Sequence, residues 1–174
     1  MHNYYTNTNT ECLLIRPLTM HDVSAWQEFM ADYESIKLFP TFVTEAPNSA
    51  EIWIEKQIER YAQNRFGLMA LIDKSTNEFV GQCGLLSKEV DGVDELEIGY
   101  SLMPKHTGKG YATEAAQAFK AIAFDNNYTQ TVISIIHIDN IPSQKVAERN
   151  GMTRSAKTNY FGIDAYVYRV NKVI

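Results

Sequence analysis

Alternation of apolar and polar positions is clearest in the middle of the chain and predicts β-strands there. In the segment "DELEIGYSLMP" every second residue is apolar, and the apolar residues are Leu96, Ile98, Tyr100 and Leu102. The residues between them are Glu95, Glu97, Gly99 and Ser101. Because successive side chains of a strand point to opposite faces, the pattern predicts a strand with one face in a core.

The segments on either side of this strand also carry strand patterns. "RFGLMALID" and "EFVGQCGLLSKEV" are apolar runs separated by "KSTN", which is typical of a hairpin turn. "ECLLIRPL" predicts an earlier strand that ends at Pro17, and the nearly continuous apolar run "TVISIIHI" predicts a strand buried on both faces. "MTRSAKTNYFGIDAYVYRV" predicts a closing strand pair.

Helical spacing of apolar residues marks four other segments. The first, "TMHDVSAWQEFM", has Thr19 in position to cap its N-terminus, and the second is "NSAEIWIEKQIERYAQN". A third helix is predicted from about Tyr111 to Asn126. The fourth, "NIPSQKVAERNG", is short, with Pro142 near its start and Gly151 at its end.

The order of these elements predicts the fold class. Three consecutive antiparallel strands followed by a strand–helix–strand crossover give a mixed sheet. We therefore predict an α+β protein with a mostly antiparallel central sheet of six to seven strands, flanked by about four helices. The 174 residues suit a single domain over residues 1–174, and the polar residues 1–10 predict a loose N-terminal tail.

Composition narrows the possible partners. A net charge of −5 argues against binding nucleic acid or an anionic membrane through basic charge, whereas a small cationic or amine substrate is compatible with it. Cys12 and Cys83 lie in apolar runs and are predicted to be buried free thiols; no CxxC pair occurs, and no metal site is predicted. Without an apolar signal core or a membrane-length apolar run, the sequence predicts a cytoplasmic protein.

The junction "MPKHTGKGYATEA" between a predicted strand and a predicted helix carries the candidate chemistry. In it Gly108 and Gly110 flank Lys109. A helix N-terminus offers unpaired backbone N–H groups and the positive end of the helix dipole to an anion. Two glycines leave that approach clear, Lys109 adds a positive charge, and Thr113 adds a hydroxyl group. The junction therefore predicts a backbone cradle for a phosphate or pyrophosphate.

Other interpretations of the junction are an ordinary turn or a nucleotide loop. The spacing alone leaves the turn open. A Walker A loop needs GxxxxGK[ST], which is absent, and a dinucleotide fingerprint needs GxGxxG, whereas Tyr111, Ala112 and Thr113 follow Gly110 here. ATP binding is further disfavoured because no acidic metal-binding strand motif accompanies the loop.

The junction and its neighbouring segments resemble the GNAT superfamily of acyl-CoA-dependent N-acyltransferases. The resemblance rests on "LEIGYSLMP", "HTGKGYATEA", "VISIIHIDN" and "NIPSQKVAERNGM", and it is specific from Glu95 to Met152. "IGYSLMPKHTGKGYATEA" and "LLIRPLTMHDVSAW" are most similar to the branch of ribosomal-protein-alanine N-acetyltransferases. The resemblance implies that the family's fourth strand, here "DELEIGYSLMP", carries a bulge and splays from the fifth strand.

The resemblance also implies a binding site for acetyl-CoA. The family loop pattern Q/R-x-x-G-x-G/A maps onto residues 107–112, where Thr107 replaces Gln or Arg. The pantetheine arm is expected in the gap between the splayed strands, with the N–H near Leu102 directed at the thioester oxygen. The implied cofactor-binding residues are Tyr100, Leu102, Met103, Thr107, Gly108, Lys109, Gly110, Tyr111, Ala112, Thr113, Asn140 and Ser143.

Two catalytic residues are predicted. Glu97 is the first candidate for the general base, because it aligns with a carboxylate that serves as base in several relatives; Glu95 is the second and His137 the third. The alternative for Glu97 is a surface glutamate on a solvated strand face. The family's usual acid, a tyrosine, falls at Ala147, so Ser143 is assigned as the proton donor to the thiolate; its alternative is a helix-capping hydroxyl.

The predicted function is therefore acetyl-CoA-dependent transfer of an acetyl group to a primary amine, with a protein or peptide N-terminus as acceptor. Alternatives are a small-molecule amine (a polyamine, an amino acid or an aminoglycoside) and a catalytically silent acyl-CoA-binding or regulatory protein on the same fold. The resemblance places "LFPTFV" and "NYFGID" beside the acceptor pocket. A monomer or homodimer is expected, without nucleic-acid or membrane partners.

Overall fold

The chain folds around one mixed sheet. A computed structural model describes Tyr4 and residues 6–173, and in this part of the chain eight strands lie in the order β1-β2-β3-β4-β5-β6-β8-β7. All neighbouring strands are antiparallel except β5 and β6, which are parallel. The strands are β1 (Thr8–Asn9), β2 (Leu13–Pro17), β3 (Leu68–Asp73), β4 (Phe79–Val90), β5 (Val93–Leu102), β6 (Thr131–His137), β7 (Thr153–Tyr160) and β8 (Ile163–Asn171).

Helices cover both faces of the sheet. The described residues form five α-helices: α1 (Val23–Ala31), α2 (Tyr33–Ile36), α3 (Ser49–Ala62), α4 (Tyr111–Asp125) and α5 (Ile141–Arg149). One core joins the sheet to α4 and α5, and its members include Leu71, Leu85, Ile98 and Phe119. A second core joins the other face to α1 and α3 through residues such as Trp26, Ile54 and Leu86.

Strand alternation explains how one sheet serves two cores. On β3, Met69 and Leu71 belong to the α4 side, and Leu68, Ala70 and Ile72 belong to the α1–α3 side. All six residues of β3 are buried, as expected for a strand with helices on both faces.

The predicted α+β architecture is confirmed, with two more elements than the sequence predicted. The extra strand is the two-residue β1, and the extra helix is the four-residue α2. Both are too short to show a hydrophobic period. Within the described residues, no helix has the length and apolar character needed to span a bilayer.

The structure differs from the expected loose tail over residues 1–10. The side chain of Tyr4 is only 3% exposed; its hydroxyl donates to the Gly67 carbonyl (2.8 Å) and accepts from the Leu85 amide (2.6 Å). Thr8–Asn9 pairs with β2. Residues 1–3 and 5 lie outside the described residues. The buried Tyr4 and the pairing of β1 thus hold a polar segment that has no periodic pattern. Cys83 is buried as predicted, but Cys12 is exposed.

Candidate active site

A gap between β5 and β6 is the central feature of the site. Of the described residues in the two strands, only Glu97 and Ile133 pair. Beyond them, hydrogen bonds from side chains take the place of backbone–backbone hydrogen bonds. The Ser134 hydroxyl donates to the Ile98 carbonyl (2.8 Å), and the Ile135 amide donates to Glu97 Oε1 (3.3 Å). The register of β5 with β4 is unbroken from Val93 to Leu102. The splay therefore exists without the bulge that the resemblance implied.

The main chain of β5 faces this gap at alternate residues. The Ile98 carbonyl points across it, and strand alternation places the polar groups of Tyr100 and Leu102 on the same side. The structure gives a different role to Met103, which was predicted to bind the cofactor. Its amide donates to the Val80 carbonyl and its carbonyl accepts from the His106 amide (both 2.9 Å), so the amide is not available to a ligand.

The glycine loop lies between the end of β5 and the start of α4. Gly108 and Gly110 have φ angles of 77° and 89°, a left-handed conformation that favours glycine. A Cβ added at either position would meet no atom within 4 Å. The first bond of α4 runs from the Glu114 amide to the Gly110 carbonyl (3.0 Å). The preceding amides of the first turn therefore have no partner within the helix.

The polar side chains of this loop are partly engaged within it. The Thr107 hydroxyl donates to the Pro104 carbonyl (2.9 Å), and Lys109 Nζ lies 3.4 Å from Nδ1 of His106. Thr107 thus stabilises the turn before α4. Lys109 is exposed beside the open amides, where a positive charge favours an anion.

Tyr111 fastens the start of α4 to the sheet. Its hydroxyl donates to the Asp73 carboxylate (2.5 Å) at the end of β3. Asp73 also accepts from the hydroxyl and the amide of Ser75. The hydrogen bond from the Ser75 hydroxyl contributes most, and that from the Tyr111 hydroxyl second most, to a pKa of Asp73 that lies well below its usual range. The Tyr111 side chain, predicted to bind the cofactor, therefore positions the start of α4 against the sheet. Ala112, another predicted cofactor residue, is buried.

The far wall of the gap is the start of α5. Asn140 caps this helix by accepting from the Ser143 amide (3.2 Å). The Tyr100 hydroxyl crosses the gap and donates to the Ser143 carbonyl (2.8 Å). Burial raises the pKa of Tyr100, which keeps its hydroxyl protonated. Ala147, at the position of the family's tyrosine, is 1% exposed within the core.

Glu97 lies in the gap, paired with a lysine. It is only 8% exposed, so the alternative of a solvated surface glutamate is wrong. Lys88 Nζ of β4 is 3.5 Å from Glu97 Oε2 and lies 5.4 Å from the centre of the Tyr160 ring. Burial is the largest single influence and lowers the pKa of Lys88, but the Glu97 carboxylate and the Tyr160 hydroxyl together outweigh it, so the pKa of Lys88 is raised. An ammonium–carboxylate pair therefore lies at this end of the gap.

The other two candidates for the base are engaged elsewhere. Arg169 holds Glu95 through two hydrogen bonds (3.0 and 2.5 Å), a bidentate pair that leaves no free carboxylate oxygen for a substrate. His137 lines the cavity, and its Nδ1 accepts from the Asp139 amide (3.1 Å). Of the three predicted bases, Glu97 and His137 therefore line the cavity, and Glu95 does not.

A cavity of about 520 Å³ runs from this pair into the gap. Its walls join the gap residues Tyr100, Asn140 and Ser143 to an apolar end formed by the loop before α3 and the β7–β8 turn. Phe42 of that loop and Phe161 of the turn touch edge to face, with ring centres 5.4 Å apart. The segments "LFPTFV" and "NYFGID" therefore border the same cavity.

The family model for the acetyltransferase (GNAT) domain matches residues 13–153, well over half of the chain. The chain belongs to the GNAT family. The family uses acetyl-CoA, and its activity is acetyl transfer.

Two proteins of Bacillus subtilis show how far the sequence similarity extends. The uncharacterized N-acetyltransferase YnaD of Bacillus subtilis is 30% identical over 145 residues, 83% of this chain and 81% of YnaD. The protein YkkB of the same organism is 39% identical over 80 residues, so the match spans less than half of YkkB, 46% of either chain.

Solved GNAT structures match nearly the whole chain. An acetyltransferase of Agrobacterium tumefaciens has a TM-score of 0.79 and 28% identity over 96% of this chain and 95% of its own. The ribosomal L7/L12 acetyltransferase RimL, solved with coenzyme A, has a TM-score of 0.74 and 18% identity over 93% and 95% of the chains. At that identity RimL shares the fold alone.

The sequence analysis missed the cations of this GNAT site, which are Lys56, Arg60 and Lys88. A signal for Lys88 was present, because "VDGV" predicts a two-residue hairpin turn. The structure has this turn, with Val90 opposite Val93, so Leu86 lies opposite Glu97 and Lys88 lies diagonal to it. Among the described residues, no group of three or more His, Cys, Asp or Glu is arranged to hold a metal ion.

Proposed function

We propose that this GNAT protein is an acetyl-CoA-dependent N-acetyltransferase that transfers acetyl to a primary amine by direct attack on the thioester. The observation that carries the proposal is that three parts follow one another along β5 and into the start of α4. Open amides lie at the glycine loop, outward-facing main chain lies along β5, and a buried carboxylate, Glu97, lies at the other end.

The residues of the gap fit the parts of acetyl-CoA. The amides of Tyr111, Ala112 and Thr113, with Lys109, suit the pyrophosphate because the space above Gly108 and Gly110 is open. The main-chain groups of Tyr100 and Leu102 suit the pantetheine amides, which add to the strand as a peptide would. Asn140 Oδ1 caps α5, so its amide nitrogen is the group left to bind the arm.

The Glu97 end of the gap supplies the base, and the main chain at the other end of β5 supplies the oxyanion donor. Glu97 takes a proton from the amine directly or through water, and the Leu102 amide donates to the thioester oxygen as negative charge develops there. The amine nitrogen forms the new C–N bond while the C–S bond breaks with its electron pair on sulfur. Of the two protons that an ammonium loses, one ends on the sulfur and one passes to solvent.

Ser143 is the proposed donor of the proton to sulfur. It lies in the wall of the gap, and neither contact recorded for it uses its hydroxyl, since both involve its main chain. A thiol has a pKa of about 8.5, so its thiolate leaves readily and needs only modest help. Ser143→Ala is therefore expected to lower turnover by less than about 10-fold.

A catalytically silent acyl-CoA-binding protein is the second candidate. The burial of Ala147 favours it, because this core position has no hydroxyl to protonate the thiolate. The acceptor class, the oligomeric state and the cytoplasmic location stay predictions.

The test is release of CoA thiol from acetyl-CoA with a panel of amines and N-terminal peptides, alongside CoA binding on the same sample. Binding with turnover supports the transferase. Binding without turnover on every acceptor favours the silent protein, and absence of binding would mean that the glycines only turn the chain.

A further inference from the structure

The charges that line the cavity differ in sign from the protein as a whole. The chain carries a net charge of −5, yet the charged side chains that line the cavity are Lys56, Arg60, Lys88 and Glu97. Three cations thus accompany one carboxylate. A cavity lined by one sign of charge concentrates ligands of the opposite sign. This lining is unfavourable for a polyamine or an aminoglycoside and favourable for an acceptor that carries negative charge.

These cations are too far from the glycine loop to serve the phosphates of CoA. Lys88 lies opposite Glu95 near the start of β5, and the loop begins beyond Leu102 at its other end. Seven residues of strand separate the two positions, which is about 23 Å at the usual rise of a β-strand. Lys56 and Arg60 line the same cavity as Lys88, and the glycine-loop residues 107–113 do not line it. The cationic end is therefore the acceptor end.

The pair formed by Lys88 and Glu97 has the charge pattern of a zwitterion. Its ammonium and carboxylate are 3.5 Å apart, and both are mostly buried. A ligand whose amine and carboxylate sit on one carbon can place the amine at Glu97 and the carboxylate at Lys88. The ligand's amine then lies beside a buried carboxylate, and its carboxylate lies beside a buried ammonium. These two contacts offset the free-energy cost of removing the ligand's charges from water.

The remaining wall of this end is apolar and aromatic. Phe39, Phe42, Trp53 and Phe161 line it. Phe161 is the first residue of the two-residue β7–β8 turn, which accounts for its φ of 47°, and it remains 66% exposed beside Phe42 and Tyr160. The wall suits an apolar side chain on the same ligand.

We propose that the acceptor is a free α-amino acid with an apolar side chain. Glu97 receives its amine, Lys88 binds its carboxylate with support from Lys56 and Arg60, and the Phe42–Phe161 wall covers its side chain. The inference rests on the proposed function and names the substrate class of that site. The products are the N-acetyl amino acid and CoA.

The test compares acceptors that differ only in the carboxylate. Thiol release is measured with leucine, phenylalanine and tryptophan, then with the amide and the decarboxylated amine of the best of them, and with spermidine and a dipeptide. We expect kcat/KM for the free acid to exceed that for the amide or amine by about 10- to 100-fold, since a charge-assisted hydrogen bond is lost. Equal values, or better use of spermidine or the dipeptide, would overturn the inference.

Variants locate the carboxylate site. Lys88→Met is expected to reduce the acid-to-amide ratio of kcat/KM by about 10-fold or more. The ratio cancels any effect of the substitution on Glu97 as base. Lys56→Glu, at an exposed position that tolerates the change, should reduce the ratio as well. Lys145→Met, an exposed lysine of α5, is the matched control and should leave the ratio unchanged. An unchanged ratio in Lys88→Met would contradict the assignment.

Failure of the proposed function gives a different result. If CoA binds but no acceptor releases thiol, the transferase proposal fails. Calorimetric titration of the CoA-loaded protein with phenylalanine and its amide then tests the inference. Binding of the acid at least about 10-fold tighter than the amide supports it, and equal or absent binding of the two overturns it.

Discussion

The two ends of the β5–β6 gap are built in different ways. The glycine-loop end is mostly main chain: amides at the start of α4 and the outward groups of Tyr100 and Leu102. The Glu97 end is mostly side chain, and its parts come from the loop before α3, from β4, β5 and the β7–β8 turn. A main-chain site tolerates changes in side-chain identity but depends on backbone conformation. A site built from side chains depends on which residues are present and tolerates small changes in backbone conformation.

The largest expected effect is at the side-chain end. Glu97→Gln removes the base while keeping the shape of the side chain, so turnover at neutral pH should fall by about 10²- to 10⁴-fold. CoA affinity should change little, because its phosphates bind at the other end. Steady-state kinetics and CoA titration measure the two quantities.

Glu95→Gln is the matched control for this variant. Glu95 shares a strand face with Glu97 but is held by Arg169, so its loss should lower stability and leave turnover near the wild-type value. If Glu95→Gln abolished turnover and Glu97→Gln did not, the assignment of the base would be wrong.

At the main-chain end the sensitive variant is Gly110→Ala. A left-handed conformation costs a non-glycine residue about 1–2 kcal/mol, so relief of that strain should shift the first turn of α4 and weaken CoA binding by about 10-fold. Gly92→Ala, in the β4–β5 turn, is the control. It has a φ of 79° and equally open space, but it is remote from the loop. Both variants should lose similar stability, and equal loss of CoA affinity in both would show that the loop binds no ligand.

A smaller effect, on stability, is expected at Tyr100, whose side chain crosses the gap between the two ends. Tyr100→Phe removes the hydrogen bond to the Ser143 carbonyl and should lower the free energy of unfolding by about 1 kcal/mol. Chemical denaturation measures this change. A loss of turnover far larger than the loss of stability would instead give the Tyr100 hydroxyl a role in the reaction.

The smallest expected effect is on acid stability at the anchor of α4. Because the pKa of Asp73 is lowered in the folded protein, its contribution to stability is present above the ordinary carboxyl pKa of about 3.9 and is lost as the pH falls through the folded value. Asp73→Asn should therefore flatten the decline in stability below about pH 4. Unfolding curves at neutral and acid pH check this, and an unchanged acid slope would contradict it.

The same contrast explains what the sequence could predict. The strands, the long helices and the glycine loop were predicted because each follows from residues close together in the chain, and the main-chain end depends on such a segment. Glu97 was found through the family motif. The Lys88 partner, the Arg169 contact of Glu95 and the burial of Tyr4 depend on pairing between distant segments, which hydrophobic spacing does not specify.

The most direct test of the two-ended gap is to follow the backbone amides by NMR during titration with CoA and then with phenylalanine. CoA should shift the amides of Leu102 and of Gly108 to Thr113 and leave that of Lys88 nearly unchanged. Phenylalanine should then shift the amides of Lys88, Glu97 and Tyr160. If CoA produced no shifts at the glycine loop, or if its largest shifts fell around Lys88, the assignment of the two ends would be wrong.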